Sequence, residues 1–344
     1  IPTVIDRMLQ QAINQVLQPL FEPEFSDNSY GFRPNRSAHD AVKKAKSYYE
    51  QGYRYVVDID MKAYFDTVNH DKLMYFIERK VKDKQVLKLI RQYLMSGVME
   101  NGLITTTEEG TPQGGNLSPL LSNIYLNEFD QVLENLGHKF VRYADDCNIY
   151  VRSKRAGQRV MKKSIQFLEE QLKLTVNREK SAVGSPLKRK FLGFCILPTK
   201  KGVKIRPHAK AKQRVKSKLK QLTKRNRGRS IQLILKEIKQ LMTGWINYYG
   251  IGEMKTFMSE LNGWLKRRIR QYIWKQWKNP RTKRKNLIRL GIDKAKAYEW
   301  SNTRKGIWSI SKSHILHRSL TDKELVLQGY EDISLKYQFV HSTY

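Results

Sequence analysis

The chain has 344 residues, 40% hydrophobic and 10% aromatic, enough for a sizeable core in two or three domains, which excludes wholesale disorder. Lys and Arg number 65 against 32 Asp and Glu, a formal charge of +33, and that excess suits a polyanionic partner because each cation set on a phosphate releases a condensed counterion. Two cysteines, Cys147 and Cys195, exclude a disulfide framework and a zinc site built from Cys pairs; no apolar run reaches the ~20 residues needed to span a bilayer, so a reducing, cytoplasmic setting without a membrane partner is expected.

The first residue is Ile1 rather than Met, inside a helical pattern of Val4, Met8, Ala12 and Val16. An N-terminal segment is therefore expected to be missing from this chain. The pattern predicts an amphipathic helix from Val4 to Leu17. Ser29 to Ser37, SYGFRPNRS, reads as a loop, and Ala38 to Gln51 as a helix. Tyr53 to Met61, YRYVVDIDM, is rich in β-branched and aromatic residues and predicts a strand. Asn69 then caps a helix through Val81. Thr111 to Ser118, TPQGGNLS, is a Gly-rich loop, with Ser118 as N-cap and Pro119 at the first position of a helix to about Leu136. Phe140 to Tyr143 and Cys147 to Val151 read as strands joined through Ala144-Asp145-Asp146. A helix near Ala156 to Leu172 and a short strand at Phe191 to Leu197 follow.

After Glu179 the texture changes. No acidic residue occurs from Lys180 to Lys236, a stretch with nineteen Lys or Arg. Three one-sided apolar stripes follow, over about His208 to Thr223, Ile231 to Tyr249 and Phe257 to Ile273, and predict a small basic helical bundle. From about Asn279 the chain is again basic, with short elements that the pattern does not place.

Three carboxylates stand out by position. Asp60 ends an otherwise apolar strand, and Asp145 and Asp146 sit at a strand-turn-strand. Nucleotidyl transfer needs two divalent ions ~3.5–4 Å apart, and Mg²⁺ takes one or two carboxylates plus waters and substrate phosphates. Each piece alone is ordinary turn chemistry. Asp58 competes with Asp60, because strand alternation puts both on one face.

Longer strings are more specific. Asp60-Met61-Lys62-Ala63-Tyr64-Phe65-Asp66 resembles the first palm motif of reverse transcriptases, and Tyr143-Ala144-Asp145-Asp146 resembles their YxDD box. Thr111 to Pro119, TPQGGNLSP, is similar to the motif lying between them, and NREKS (Asn177 to Ser181) and FLGF (Phe191 to Phe194) to two later ones, all in the family's order. SYGFRPNRS, the VNHDKL run at Val68 to Leu73 and GWINYYGI at Gly244 to Ile251 are similar to reverse transcriptase/maturases encoded by bacterial group II introns. The resemblance covers most of the chain and weakens after about Gly306.

That resemblance implies an α+β fold: a right-hand polymerase palm with partial fingers (1–200), an all-α three-helix thumb or maturase domain X (201–280), and a small basic DNA-binding-like region (281–344). It implies Asp60, Asp145 and Asp146 as ligands of two Mg²⁺ ions, with Mn²⁺ as a substitute. It makes Asp60 the catalytic residue rather than Asp58, because the family's aromatic then falls at Phe65, where a ring would exclude a ribonucleotide 2′-hydroxyl. Phe65, Gln113, Gly114 and Met61 are implied at the nucleotide; Phe65 as a plain core aromatic stays open. Glycines at 114 and 115 would let backbone approach the nucleic acid. Lys180 is implied as proton donor to pyrophosphate, or as a phosphate contact. Arg33 and Arg36 are implied on the template backbone, and Phe191, Leu192 and Gly193 on the primer. Trp245, Trp264, Trp274 and Trp277 read as core or groove-lining.

The implied function is RNA-directed DNA polymerisation with a role in splicing. Its partners would be RNA template, DNA primer, dNTPs, group II intron RNA and target DNA, near the bacterial nucleoid. An RNA-binding splicing cofactor with a silent polymerase site is the alternative. An RNA-dependent RNA polymerase is disfavoured by Phe65. Nothing resembles the family's Cys-bearing endonuclease domain. The family's first fingers motifs are also absent, so the chain as given is expected to bind nucleic acid and to polymerise poorly.

Overall fold

The computed structural model describes residues 3–96, 98–100, 103–105, 109–111 and 115–344. The chain divides into two compact units, Ile1–Lys204 and Ile205–Tyr344.

In the first unit the helix starts follow local side-chain chemistry. α1 (Val4–Phe21) opens on a Thr3/Asp6 capping box and α2 (Ala38–Glu50) on a Ser37/Asp40 box, pairings that satisfy otherwise orphaned backbone donors. After β1 (Tyr55–Ile59) come α3 (His70–Glu78), capped by Asn69, and α4 (Lys84–Met95), capped by Asp83. The sequence reading has no counterpart to α4. The small β2–β3 hairpin (Val98–Glu100, Leu103–Thr105) precedes α5 (Ser118–Asn135). Here one expectation shifts by a residue. Leu117 is the N-cap, and the Ser118 hydroxyl meets the Tyr93 hydroxyl at 2.8 Å instead of capping.

β4 (Lys139–Tyr143), β5 (Asp146–Val151), α6 (Lys154–Gln166) with one π-turn to Gln171, and β6 (Ala182–Gly184) follow. They complete a four-stranded antiparallel sheet in the order β4-β5-β1-β6. Val57 pairs with Ile149 and Ile59 with Cys147, and these four side chains are buried in one core with residues of α3, α5 and α6. Alternation then sends Asp58 and Asn148 to the other face. β7 (Phe194–Thr199) and β8 (Gly202–Pro207) form a hairpin whose second strand contains the division between units.

The second unit is all helical beyond that strand. α7 (Ala209–Leu222), α8 (Ile231–Tyr249) and α9 (Lys255–Gln276) match the three predicted stripes. Leu219, Ile234, Ile238, Ile246, Leu265 and Ile269 lie along their buried faces. The chain continues through α10 (Pro280–Arg289), α11 (Lys294–Ser301), α12 (Ile307–Ile310), α13 (His314–Ser319), α14 (Asp322–Leu327) and α15 (Ile333–Ser342). α12 and α15 pack on α9, and α15 also on α8. The tract after residue 280 therefore shares one core with the three-helix bundle. No helix of the described residues is long and apolar enough to cross a membrane.

Candidate active site

Asp60 follows directly on β1, and Asp146 opens β5. The pair Ile59–Cys147 is in register, so one further step along each strand sets Asp60 beside Asp146, on the face opposite the helix-covered core. Tyr143 pairs with Asp146 across the β4–β5 hairpin, which leaves Ala144 and Asp145 as a two-residue turn. Ala144 takes the left-handed conformation that such a turn needs, with φ of 56°. The three carboxylates predicted from the motifs thus meet at one corner of the sheet.

The NREKS segment fixes Asp60 from the other side. Ser181 Oγ accepts from the Asp60 amide at 3.0 Å, and the Asn177 amide donates to the Asp60 carbonyl at 2.8 Å. Asn177 Oδ1 accepts from the Lys180 amide three residues on, as an N-cap side chain does. Lys180 Nζ stands 3.6 Å from Asp60 Oδ2, with the lysine side chain 70% exposed. The competing Asp58 is spoken for: Arg189 Nη1 lies 3.1 Å from its Oδ2. The same Nη1 donates to the Lys180 carbonyl at 3.1 Å, so Arg189 joins β1 to the lysine's own backbone.

Negative charge accumulates here. Asp146 reaches solvent, yet close packing around it, and then the charges of Asp145, Asp58 and Asp60, push its pKa up to about 6. Burial likewise holds Asp58 above the ordinary carboxylate value, against the pull of Arg189. Among the described residues, no three His, Cys, Asp or Glu side chains are gathered closely enough to enclose a metal ion in this conformation. A Mg²⁺ site does not need such a cage, because waters and substrate phosphates fill most of its octahedron. The donor set fits: hard carboxylate oxygens on one face, repelling one another, with an ammonium drawn to Asp60.

The remaining predicted residues divide. Phe65 is half-buried in a short 3₁₀ turn, edge-on to Tyr64 at 5.2 Å; its carbonyl accepts from the Thr111 amide, which ties it to the Gly-rich loop. Gln113 and Gly114 lie outside the described residues. A Cβ at Gly115 would fall 1.9 Å from the Tyr93 hydroxyl. Phe191 is buried and pairs with Phe194 across a turn of Leu192 and Gly193, both at positive φ. Trp274 and Trp277 are buried, while Trp264 is half-buried with Lys216 and Arg268 over its ring.

Two of the implied contact residues have side chains turned inward, Arg33 and Met61. The buried Arg33 guanidinium bonds Glu22 and the carbonyls of Ser26 and Ser29, so it braces the SYGFRPNRS loop from inside. The Met61 side chain is buried in the core, and its backbone bridges Val176. Arg36 lies nearer the surface, paired with the exposed Asp27 and set over the Tyr30 ring. The sequence reading misses Asp130, Asn123, Arg142 and Arg189. A lone Arg in the apolar strand FVRY, and a lone Asp on the apolar side of α5, are the signals that point to Arg142 and Asp130; Asn123 and Arg189 carry none.

Residues 1–196 match the family described as reverse transcriptase (RNA-dependent DNA polymerase), and residues 212–291 match the group II intron, maturase-specific domain. The chain is similar to the group II intron-encoded protein LtrA of Lactococcus lactis subsp. cremoris, 44% identical over 142 residues, which are 41% of this chain and 24% of that protein. It is also similar to protein YkfC of Escherichia coli strain K12, 34% identical over 221 residues, 53% of this chain and 58% of that one. The chain thus spans only about a quarter of LtrA and somewhat more than half of YkfC. Among solved structures, apo telomerase from Candida Tropicalis aligns over 97% of this chain and 60% of its own, at 12% identity and a TM-score of 0.45, a likeness too slight to build on. With the first match covering more than half of its length, the chain belongs to the reverse transcriptase family.

Proposed function

We propose that this chain is an RNA-directed DNA polymerase, with palm and thumb, that extends a DNA primer on an RNA template, and that it also binds group II intron RNA to assist splicing. The observation that carries the polymerase reading is the register that sets Asp60 beside Asp146, with Asp145 in the adjoining turn. In this reading the first unit supplies partial fingers and palm, α7–α9 the thumb, and the basic tract from residue 280 a surface for target DNA. Two buried cysteines outside any disulfide suit a cytoplasmic setting, and the positive charge suits one close to nucleoid DNA.

Asp60, Asp145 and Asp146 would hold the divalent ions, Mg²⁺ or Mn²⁺. When bound, these supply activation of the primer 3′ oxygen and neutralisation of charge on the leaving pyrophosphate. The protein's own groups do the rest. Lys180, exposed and held by the Asn177 turn, can give a proton to the leaving group, a contribution of ~10²–10⁴ in rate. Phe65 would lie under the incoming sugar and exclude a 2′-hydroxyl. The Phe191 turn would bear on the primer.

The splicing reading has separate support in the second unit. Lys212 lies over Phe257, and Lys216 and Arg268 over Trp264. Cations held against aromatic rings on a basic surface suit phosphates and exposed bases, and this surface lies within the maturase-specific match. Primer extension tests the polymerase reading. The chain should extend a DNA primer on RNA with dNTPs and Mg²⁺, Asp145→Ala should abolish this, and RNA affinity should be unchanged. Extension by Asp145→Ala at the parent rate would refute the site.

A further inference from the structure

Arg142 sits on β4 next to the Tyr143–Asp146 turn, fully buried, and so does its partner Asp130 on α5. Its Nε and Nη2 bond both Asp130 carboxylate oxygens at 2.5 to 2.9 Å. Its Nη1 donates to Asn123 Oδ1 at 3.0 Å and, reaching two residues ahead, to the Ala144 carbonyl at 2.9 Å. Asn123 in turn donates to the Gly31 carbonyl at 2.8 Å. Gly31 abuts the turn so closely that a Cβ there would lie 2.2 Å from the Ala144 amide nitrogen. The backbone repeats the clamp, with Tyr30 donating to the Arg142 carbonyl and Arg142 to the Asn28 carbonyl, both at 2.9 Å.

We propose that Arg142, with Asp130 and Asn123, is a positioning device that fixes the turn carrying Asp145 and Asp146 in its metal-holding geometry. This rests on the polymerase reading of those carboxylates. Stability alone does not account for the cluster, because a buried ion pair is often replaceable by packed apolar residues at no loss. The turn itself needs holding. Ala144 is a non-glycine residue at positive φ, a conformation that persists only where its surroundings over-determine it. Arg142 grips the carbonyl of that residue, and Gly31 backs its amide. The cluster also lies one shell behind the carboxylates, the level at which loss of a supporting partner typically weakens metal affinity about 10–100-fold.

The test uses three variants of the full chain: Arg142→Met combined with Asp130→Leu, which keeps the core apolar and filled; Asn123→Ala; and Gly31→Ala, which pushes on the turn. Amide hydrogen exchange over residues 143–147 is measured with Mn²⁺ affinity. The expected result is exchange about tenfold or more faster in the turn, unchanged protection in β1 and α5, and a Mn²⁺ dissociation constant raised about tenfold or more, with RNA affinity intact. If the Met/Leu pair does not fold, Asn123→Ala and Gly31→Ala decide. Folded variants whose turn exchange or Mn²⁺ affinity stays within twofold of the parent overturn the proposal. Should the parent bind no Mn²⁺ in a manner that Asp145→Ala abolishes, the polymerase reading fails, and the exchange result alone then judges the clamp.

Discussion

Asp58 and Asp60 share one face of the palm sheet, but only Asp58 is paired to an arginine, Arg189, at 3.1 Å. That pairing distinguishes two carboxylates which strand alternation alone leaves equivalent. Asp60→Asn should cut primer extension by about 10³ or more, since a metal ligand stands for several kcal/mol of transition-state stabilisation. Asp58→Asn should retain measurable extension. Arg189→Ala should lower stability by about 1–2 kcal/mol, discounted from the cost of breaking a fully buried pair because both side chains are partly exposed. Steady-state extension and urea unfolding check these.

Asp146 gives a pH dependence with a definite sign. Its folded pKa of about 6 lies above the ordinary 3.8, so between these values the folded chain holds a proton that the unfolded chain does not. Without divalent ions, stability is therefore expected to fall as pH rises through that window and to stay lower above it. Asp146→Asn should melt at a higher temperature than the parent at pH 7.5 in EDTA. Bound ions must displace that proton, so Mg²⁺-induced stabilisation of the parent should fade as pH drops below about 6.

Phe65→Val should increase ribonucleotide incorporation by about tenfold relative to deoxynucleotide, the size expected when a pocket gains room for one hydroxyl. Competition between rNTPs and dNTPs on an RNA template measures it. An unchanged ratio would leave Phe65 as a packing residue against Tyr64.

The two arginines of the SYGFRPNRS loop should behave oppositely. Arg33→Ala strands a partly buried Glu22 carboxylate and two carbonyls, for an expected loss of about 3 kcal/mol in chemical denaturation. Arg36→Ala removes a pair to a carboxylate that is 93% exposed, and should cost less than about 0.5 kcal/mol. Any effect of Arg36→Ala should appear in template affinity instead.

What the sequence discloses follows from how local each feature is. The helix starts at Val4, Ala38 and His70 are set by caps one to three residues away, and both capping boxes are written in the text. The convergence of Asp60 with Asp145 and Asp146 is carried by strings whose order marks a palm. Arg33 reads as a surface cation because its partner Glu22 and its carbonyl acceptors are fixed only once the loop folds over them. The Arg142, Asp130, Asn123 and Gly31 cluster includes a bond from Asn123 to Gly31, 92 residues apart, and no periodicity records such contacts. The C-terminal helices α11 to α14 run four to eight residues each, too short for a stripe to declare itself.

The central claim is that Asp60, Asp145 and Asp146 jointly hold divalent ions, and Mn²⁺ binding followed by electron paramagnetic resonance tests it most directly. With primer, RNA template and an incoming dNTP present, the parent chain should bind about two Mn²⁺ ions at this site. Asp60→Asn and Asp145→Ala should each lose that binding, while Asp58→Asn should keep it. Equal Mn²⁺ uptake by the parent, Asp60→Asn and Asp145→Ala would contradict the account.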